Sequence, residues 1–520
     1  MEFSEAKPLI HWEDDKWTVG DAMRGVAIFG GTGSGKTSGS GRTLALKYLK
    51  EGWGGLVLCV KTDEADLWEE YCKEAHRSND MIRFKNGSIL EGGKIKKQLM
   101  VFNPIDYELK RAGEGAGDPQ NITNIFMNIY RMGNRIAGGG DNREERFWDV
   151  ALKRCISRVV ELLILAKEDL SFENMRRVLV SCKELEPIEI EDIKKGTKET
   201  YDLNKLFKYA CNEAINGSDQ YDYRGNYCFD CLLSAYLKID KKDPAKTQAF
   251  NLVHAYFLHE FGSLGGRVRS TISESFMGLA EPFLSGLLFR HFAGVTNLFP
   301  EVTFTERKII VLDFSVKEFL DAGIVAQSIY KMMFQQAVER REVKKYPTPV
   351  FLWADESQMF VNPYDQIFLT TARSKRVATV FLTQNIPNFL SVMGSGMEAK
   401  AKVDSLLGNL STKIFHNNMD AETNEYASRL IGNALLPIMS TGKQKGELAM
   451  SGSVSEGVSY IIRPQVFPKE FISLKAGGDQ PKEEDKFMVE GFVVMSGRSW
   501  EDGESFKLVR FDQNYTPYER

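Results

Sequence analysis

Eight residues, GGTGSGKT from Gly30 to Thr37, restrict what this chain can become. The apolar run Val26–Phe29 precedes them. SGSGRTLALKYLKEG follows, a helical pattern ended by glycine. A strand that turns through glycines into a helix is a cradle for phosphate. Backbone N–H groups close around the anion, and the helix N-terminus adds positive potential. The spacing G-x-x-x-x-G-K-[ST] places Gly30, Thr32, Gly33, Ser34, Gly35, Lys36, Thr37 and Ser38 around a nucleotide. Lys36 is expected to reach the β and γ phosphates, and the Thr37 hydroxyl to ligate Mg²⁺.

A cradle of this kind needs a parallel sheet around it. GGLVLCVK (54–61), QLMVFNP (98–104), KIIVLDF (308–314), TPVFLWADE (348–356) and VATVFLTQ (377–384) are continuous apolar runs, the texture of strands buried on both faces. Amphipathic stretches such as DEADLWEEYCKEAHR alternate with them. STKIFHN (411–417) reads as one more strand. Residues 486–511 read as a terminal hairpin. The pattern between 145 and 299 is almost wholly helical. The expected fold is therefore α/β: a P-loop NTPase domain, with an all-α domain inserted. The expected boundaries are 1–144 and 300–520 for the two parts of the sheet domain and 145–299 for the insert.

Adjacent acids end the strand VFLWADE. Asp355 is placed to hold Mg²⁺ through water, and Glu356 to orient and polarise the attacking water. That glutamate argues for hydrolysis and against a small-molecule kinase. Gln384 stands at the end of the next strand, where a polar side chain can sense a γ-phosphate. Between these strands, TTARSKR clusters Arg373, Lys375 and Arg376. One reading makes Arg373, with Arg376 as the alternative, a finger that acts on a neighbouring subunit. The other makes them a solvated helix end. GRVRSTISES, with Arg267 and Arg269, fits a phosphate contact or the first turn of a helix equally well.

Composition narrows the partners. The net charge of −4 gives no global nucleic-acid signal, although a ring can line its pore with a few cations. Seven scattered cysteines suit a reducing cytosol. The one close pair, Cys228 and Cys231, reads as buried thiols in a helix rather than a metal site. The six histidines show no metal-ligand spacing, and His416 is read with the rest as structural. No apolar run reaches the roughly 18 residues of a membrane helix. The expectation is a soluble, cytoplasmic protein.

The serial order of these pieces resembles the type IV secretion coupling proteins, the TraG/TraD-like conjugation ATPases of the HerA/FtsK superfamily. The stretches that carry the likeness run from GGTGSGKT through VKTDEADLWEEYCKEAHR, RFWDVALKRCISRVVELLILA and VRSTISESFMGLAEPFL. They continue with IIVLDFSVKEF, VFLWADESQMF, TTARSKRVATVFLTQN and NLSTKIFHNNMDAETNEYASRLIG. The resemblance implies a RecA-like domain with a helical insert, a hexameric ring, and ATP-driven passage of DNA. It makes Gln384 the sensor and Arg373 the finger in trans. It also implies a relaxase, secretion-channel or membrane-anchor partner, which would recruit the chain to the inner membrane. Members of this group usually begin with membrane helices, which this sequence does not show. An alternative function is an ATP-dependent assembly switch that docks protein cargo without pumping DNA.

Overall fold

The computed structural model describes residues 3–90, 98–136, 143–183, 185–192, 197–217, 223–394, 396–444 and 453–516. The chain forms two compact units. The first comprises Met1–Phe84, Glu301–Glu318 and Phe334–Arg520; the second comprises Lys85–Pro300 and Phe319–Met333. The helical unit thus begins at Lys85, well before the expected 145, and takes back a short piece after the sheet resumes.

The first unit is organised by a nine-stranded sheet. Its strands in chain order are β1 (Val26–Phe29), β2 (Gly54–Leu58), β3 (Met81–Lys85), β4 (Ile309–Asp313) and β5 (Val350–Ala354). They continue with β6 (Val377–Thr383), β7 (Thr412–Phe415), β8 (Met488–Met495) and β9 (Phe506–Asp512). Across the sheet the order is β9-β8-β7-β1-β6-β5-β2-β4-β3. The pairs from β7 to β4 are parallel, whereas β8 and β9 form the antiparallel hairpin at one edge. The parallel strands are buried almost throughout, as their unbroken apolar runs require.

Helices α1 (Arg42–Lys50) and α2 (Glu64–Glu74) follow β1 and β2. Their apolar faces meet one sheet face in an aromatic core. Trp68 stacks on Phe351 at 5.5 Å between centroids and meets Trp353 edge-on at 5.4 Å, while Tyr48 stacks on Trp53 at 4.6 Å. Truncating one such buried ring to alanine costs about 3–5 kcal/mol.

The second unit is mainly helical. Arg143–Ala166, Phe172–Cys182, Tyr227–Lys238 and Gly266–Ala280 are among its helices, and two antiparallel strand pairs, Ile89–Leu90 with Gln98–Leu99 and Ile188–Asp192 with Thr197–Tyr201, accompany them. Phe172 stacks on Phe283 at 4.1 Å. Cys228 and Cys231 are buried in one helix, where burial raises both thiols. The run 98–104, expected as a sheet strand, pairs only at Gln98–Leu99, antiparallel with Ile89–Leu90. Beyond that pair the backbone bonds go elsewhere: Met100 N–H donates to Ser88 and Phe102 N–H to His291. Asn103 then caps a helix that opens with Pro104. Among the described residues, no helix is long and apolar enough to cross a membrane.

Candidate nucleotide-hydrolysis site

Four neighbouring strands, β7-β1-β6-β5, carry the site at their C-terminal ends, the rim where open α/β sheets take ligands. β1 runs into the glycine loop. Gly35 has φ of +79°, and a Cβ there would lie 2.4 Å from Val489 Cγ2. At Gly30 a Cβ would come within 2.3 Å of Ser34 Oγ. Gly35 therefore calls for glycine, and a side chain at Gly30 would crowd Ser34 and His416. After the loop, Thr37–Gly41 forms a π-helical turn that leads into α1, with Gly41 N–H donating to Lys36 O at 2.9 Å.

The expected acids meet the loop. Thr37 Oγ1 donates to Asp355 Oδ2 at 2.8 Å. Lys36, nearly buried, sets Nζ 3.7 Å from Glu356 Oε1. Gln384 Nε2 donates to that same oxygen at 3.1 Å, and Gln358 Nε2 donates to Oε2 at 2.9 Å. Gln358 is itself held by the Thr383 hydroxyl at 2.9 Å. Burial would raise the Glu356 carboxyl. The hydrogen bonds from Gln358 and Gln384, then the charges of Lys36 and Lys61, outweigh it and hold the group below the ordinary glutamate range. Glu356 also has φ of 45°, a left-handed conformation rare for a side-chain-bearing residue. Such strain persists where surrounding contacts over-determine it, and it concentrates at working sites.

Sequence reasoning missed several participants. Gln358 lies two residues beyond Glu356. Lys61 and Glu64 follow β2, whose Leu58 sits beside Ala354 in the sheet. Lys61 is opposed by burial, but the charges of Asp355, Glu64, Glu356 and Asp63 raise its ammonium overall. Glu64 is pushed up to about 7, by burial first and by the Asp355 carboxylate second. The only sequence signal for these two was a polar run at the end of a buried strand. Beneath the loop, buried His416 meets Ser40. Ser38, expected at the nucleotide, accepts from Gln513 Nε2 at 2.6 Å.

Mg²⁺ is a hard ion that takes oxygen ligands and keeps part of its water shell. The Thr37 hydroxyl and the Asp355 carboxylate, joined at 2.8 Å, are oxygen donors of the kind that fits it.

Arg373 and Arg376 are not part of this cluster. Arg373 Nη2 pairs with Glu5 Oε2 at 2.9 Å, with both side chains about half exposed. Arg376 lies over the Phe3 ring and donates to Pro347 O. Both precede β6, whereas Gln384 follows it. At roughly 3.3 Å per residue the strand holds them more than about 20 Å apart. Arg267 and Arg269 occupy the first turn of the helix Gly266–Ala280 in the helical unit.

Residues 349–470 match the family model described as the TraM recognition site of TraD and TraG. No curated protein matches the sequence. Among solved structures, the bacterial conjugative coupling protein TrwBdeltaN70 superposes with TM-score 0.54 at 10% identity, over 99% of this chain and 90% of that one. The plasmid coupling protein TrwB in complex with ADP and Mg²⁺ gives TM-score 0.54 at 11% identity, covering 100% and 91%. TrwB with a non-hydrolysable ATP analogue gives 0.52 at 11% identity, covering 100% and 92%. The chain thus has the RecA-like P-loop fold with a helical domain that these conjugative coupling protein structures share, and residues 349–470 match a TraD/TraG sequence model.

Proposed function

We propose that this chain is an ATP-hydrolysing coupling ATPase that assembles as a ring, a hexamer by the family pattern, and moves DNA in conjugative-type transfer or a related mobile-element or defence role. The observation that carries the reading is the convergence of Lys36, Gln384 and Gln358 on one carboxylate, Glu356, beside the Thr37–Asp355 hydrogen bond. A nucleotide-binding switch needs the loop and the metal acid. It has no use for a glutamate held ionised by two amides.

In this reading the loop from Gly30 to Ser38 grips the phosphates, and Lys36 turns from Glu356 to the γ-phosphate. Thr37 and Asp355 would hold Mg²⁺, which neutralises phosphate charge when bound. Glu356 takes the proton of the attacking water, and Gln384 fixes the direction of its carboxylate. Arg373, remote from its own site, acts on the next subunit's nucleotide. A protein of the kind TraM represents, from a DNA-processing complex with a relaxase, is the partner suggested for 349–470. A secretion-channel or membrane-anchor protein would supply recruitment to the inner membrane.

The test is steady-state ATP hydrolysis with and without single- and double-stranded DNA, with Lys36→Ala as control. DNA stimulation that disappears in the variant is expected. ATP-dependent oligomerisation without turnover, retained in Glu356→Gln, would favour a docking switch for protein cargo instead.

A further inference from the structure

Glu64 opens α2, and its two carboxylate oxygens have different surroundings. Oε2 accepts from Val60 N–H at 2.6 Å and Lys61 N–H at 3.3 Å, which pins the turn after β2. Oε1 is buried and accepts no hydrogen bond. Lys61 Nζ stands 3.7 Å away, beyond hydrogen-bond reach. The whole residue is 7% exposed. With Thr37 and Asp355 it lines a small cavity walled by Trp68, Tyr71 and Trp353.

An unpaired carboxylate oxygen in such a wall is costly unless something fills the space. Turn-pinning explains only Oε2. Water alone would satisfy one lone pair but would leave two acids sharing a desolvated pocket. The cavity has room for about one water, and a water bound to a divalent cation at Thr37 and Asp355 satisfies both demands: its proton points to Oε1 and the ion's charge offsets the acids.

We propose that Glu64 is a third protein group of the Mg²⁺ site, accepting through Oε1 from the ion's hydration shell while Thr37 and Asp355 face the ion. This rests on the nucleotide-hydrolysis reading above. It assigns Glu64 a positioning role: it touches neither the phosphates nor the attacking water.

The experiment is the Mg²⁺ dependence of ADP binding by the full chain, read by calorimetry, for wild type and Glu64→Gln. Glutamine keeps an oxygen for the two amides and loses the charge. The expected result is unchanged metal-free ADP affinity and an Mg²⁺ midpoint about 10- to 100-fold higher. An unchanged midpoint in a folded variant overturns the proposal. So does lost turnover with an unchanged midpoint, which would put Glu64 in the chemistry itself. If Glu64→Gln does not fold, Glu64→Asp carries the same test: it keeps the charge and withdraws the oxygen, and the same comparison decides. Wild-type protein that binds no ADP at any Mg²⁺ concentration removes the hydrolysis reading and this inference with it.

Discussion

His416 and Ser40 meet side chain to side chain beneath the phosphate loop, Nε2 to Oγ at 2.7 Å. The other ring nitrogen faces the Glu490 carbonyl at 2.8 Å. A carbonyl only accepts, so Nδ1 carries the proton and Nε2 receives the serine O–H. The loop is thus propped by a neutral imidazole. Burial foremost, with the Lys36 charge adding to it and the Glu490 carbonyl opposing, lowers the ring to about 4 from an ordinary 6.5.

A pH dependence of stability follows. Between 6.5 and 4 the unfolded ring takes a proton that the folded ring refuses, so the unfolded state binds more protons. The stability this ring contributes is present above 6.5 and is lost as pH falls through that window. Wild type should lose more stability than His416→Gln over this range, by no more than about 3 kcal/mol. Denaturant midpoints at several pH values measure it; parallel curves for the two proteins would dismiss the prop.

The glycine loop predicts a steric outcome. Gly35→Ala combines a left-handed φ with an overlap on Val489. A cost of about 2–4 kcal/mol is expected, the sum of backbone strain and overpacking. Trimming the clash with Val489→Ala in the same chain should recover only the overpacking share. Urea unfolding of the single and double variants checks this, and a Gly35→Ala midpoint equal to wild type would contradict the loop geometry.

Glu356 predicts a shift in a rate profile. Gln384→Leu removes one of the two amides that keep this carboxyl low. Its ionisation should then move toward higher pH, carrying the acidic limb of kcat upward, with the plateau rate falling roughly tenfold or more. Nucleotide affinity should hold. A limb that stays in place would mean that Gln384 does not support the base.

Arg373 predicts complementation between subunits. Arg373→Ala alone should lower hydrolysis by about 10³-fold, the scale of an arginine finger. Lys36→Ala alone should be inactive. Mixed rings place an intact Lys36 site beside an intact Arg373, so mixing the two proteins should restore part of the activity. If every mixing ratio is as inactive as the parents, Arg373 is the solvated helix end that its contact with Glu5 also suits.

The chemistry of the loop and of the Asp355–Glu356 strand was legible because both lie on buried parallel strands, whose unbroken apolar runs announce them. QLMVFNP has the same texture and was misread, since a short apolar run does not say what it packs against. Asn103-Pro104 was the available signal, a cap and first helical position that end the run. Glu64 and His416 could not be read from spacing at all. His416 reaches the Glu490 carbonyl only when β8 is laid beside β7, and Glu64 comes to share a cavity with Asp355 only when β5 is laid beside β2.

That arrangement has a consequence for biosynthesis. β1, which carries the phosphate loop, pairs on one side with β6, Val26 beside Val380, and on the other with β7, Val26 beside Thr412. A nascent chain emerging from the ribosome therefore exposes an apolar strand until Val377–Thr383 and Thr412–Phe415 have been made. Contacts this distant in sequence close late and slowly, and unpaired edges aggregate while they wait. Nucleotide competence waits for β7: no ribosome-bound fragment that stops short of it can assemble the cradle. Chaperone demand during expression should concentrate in that interval.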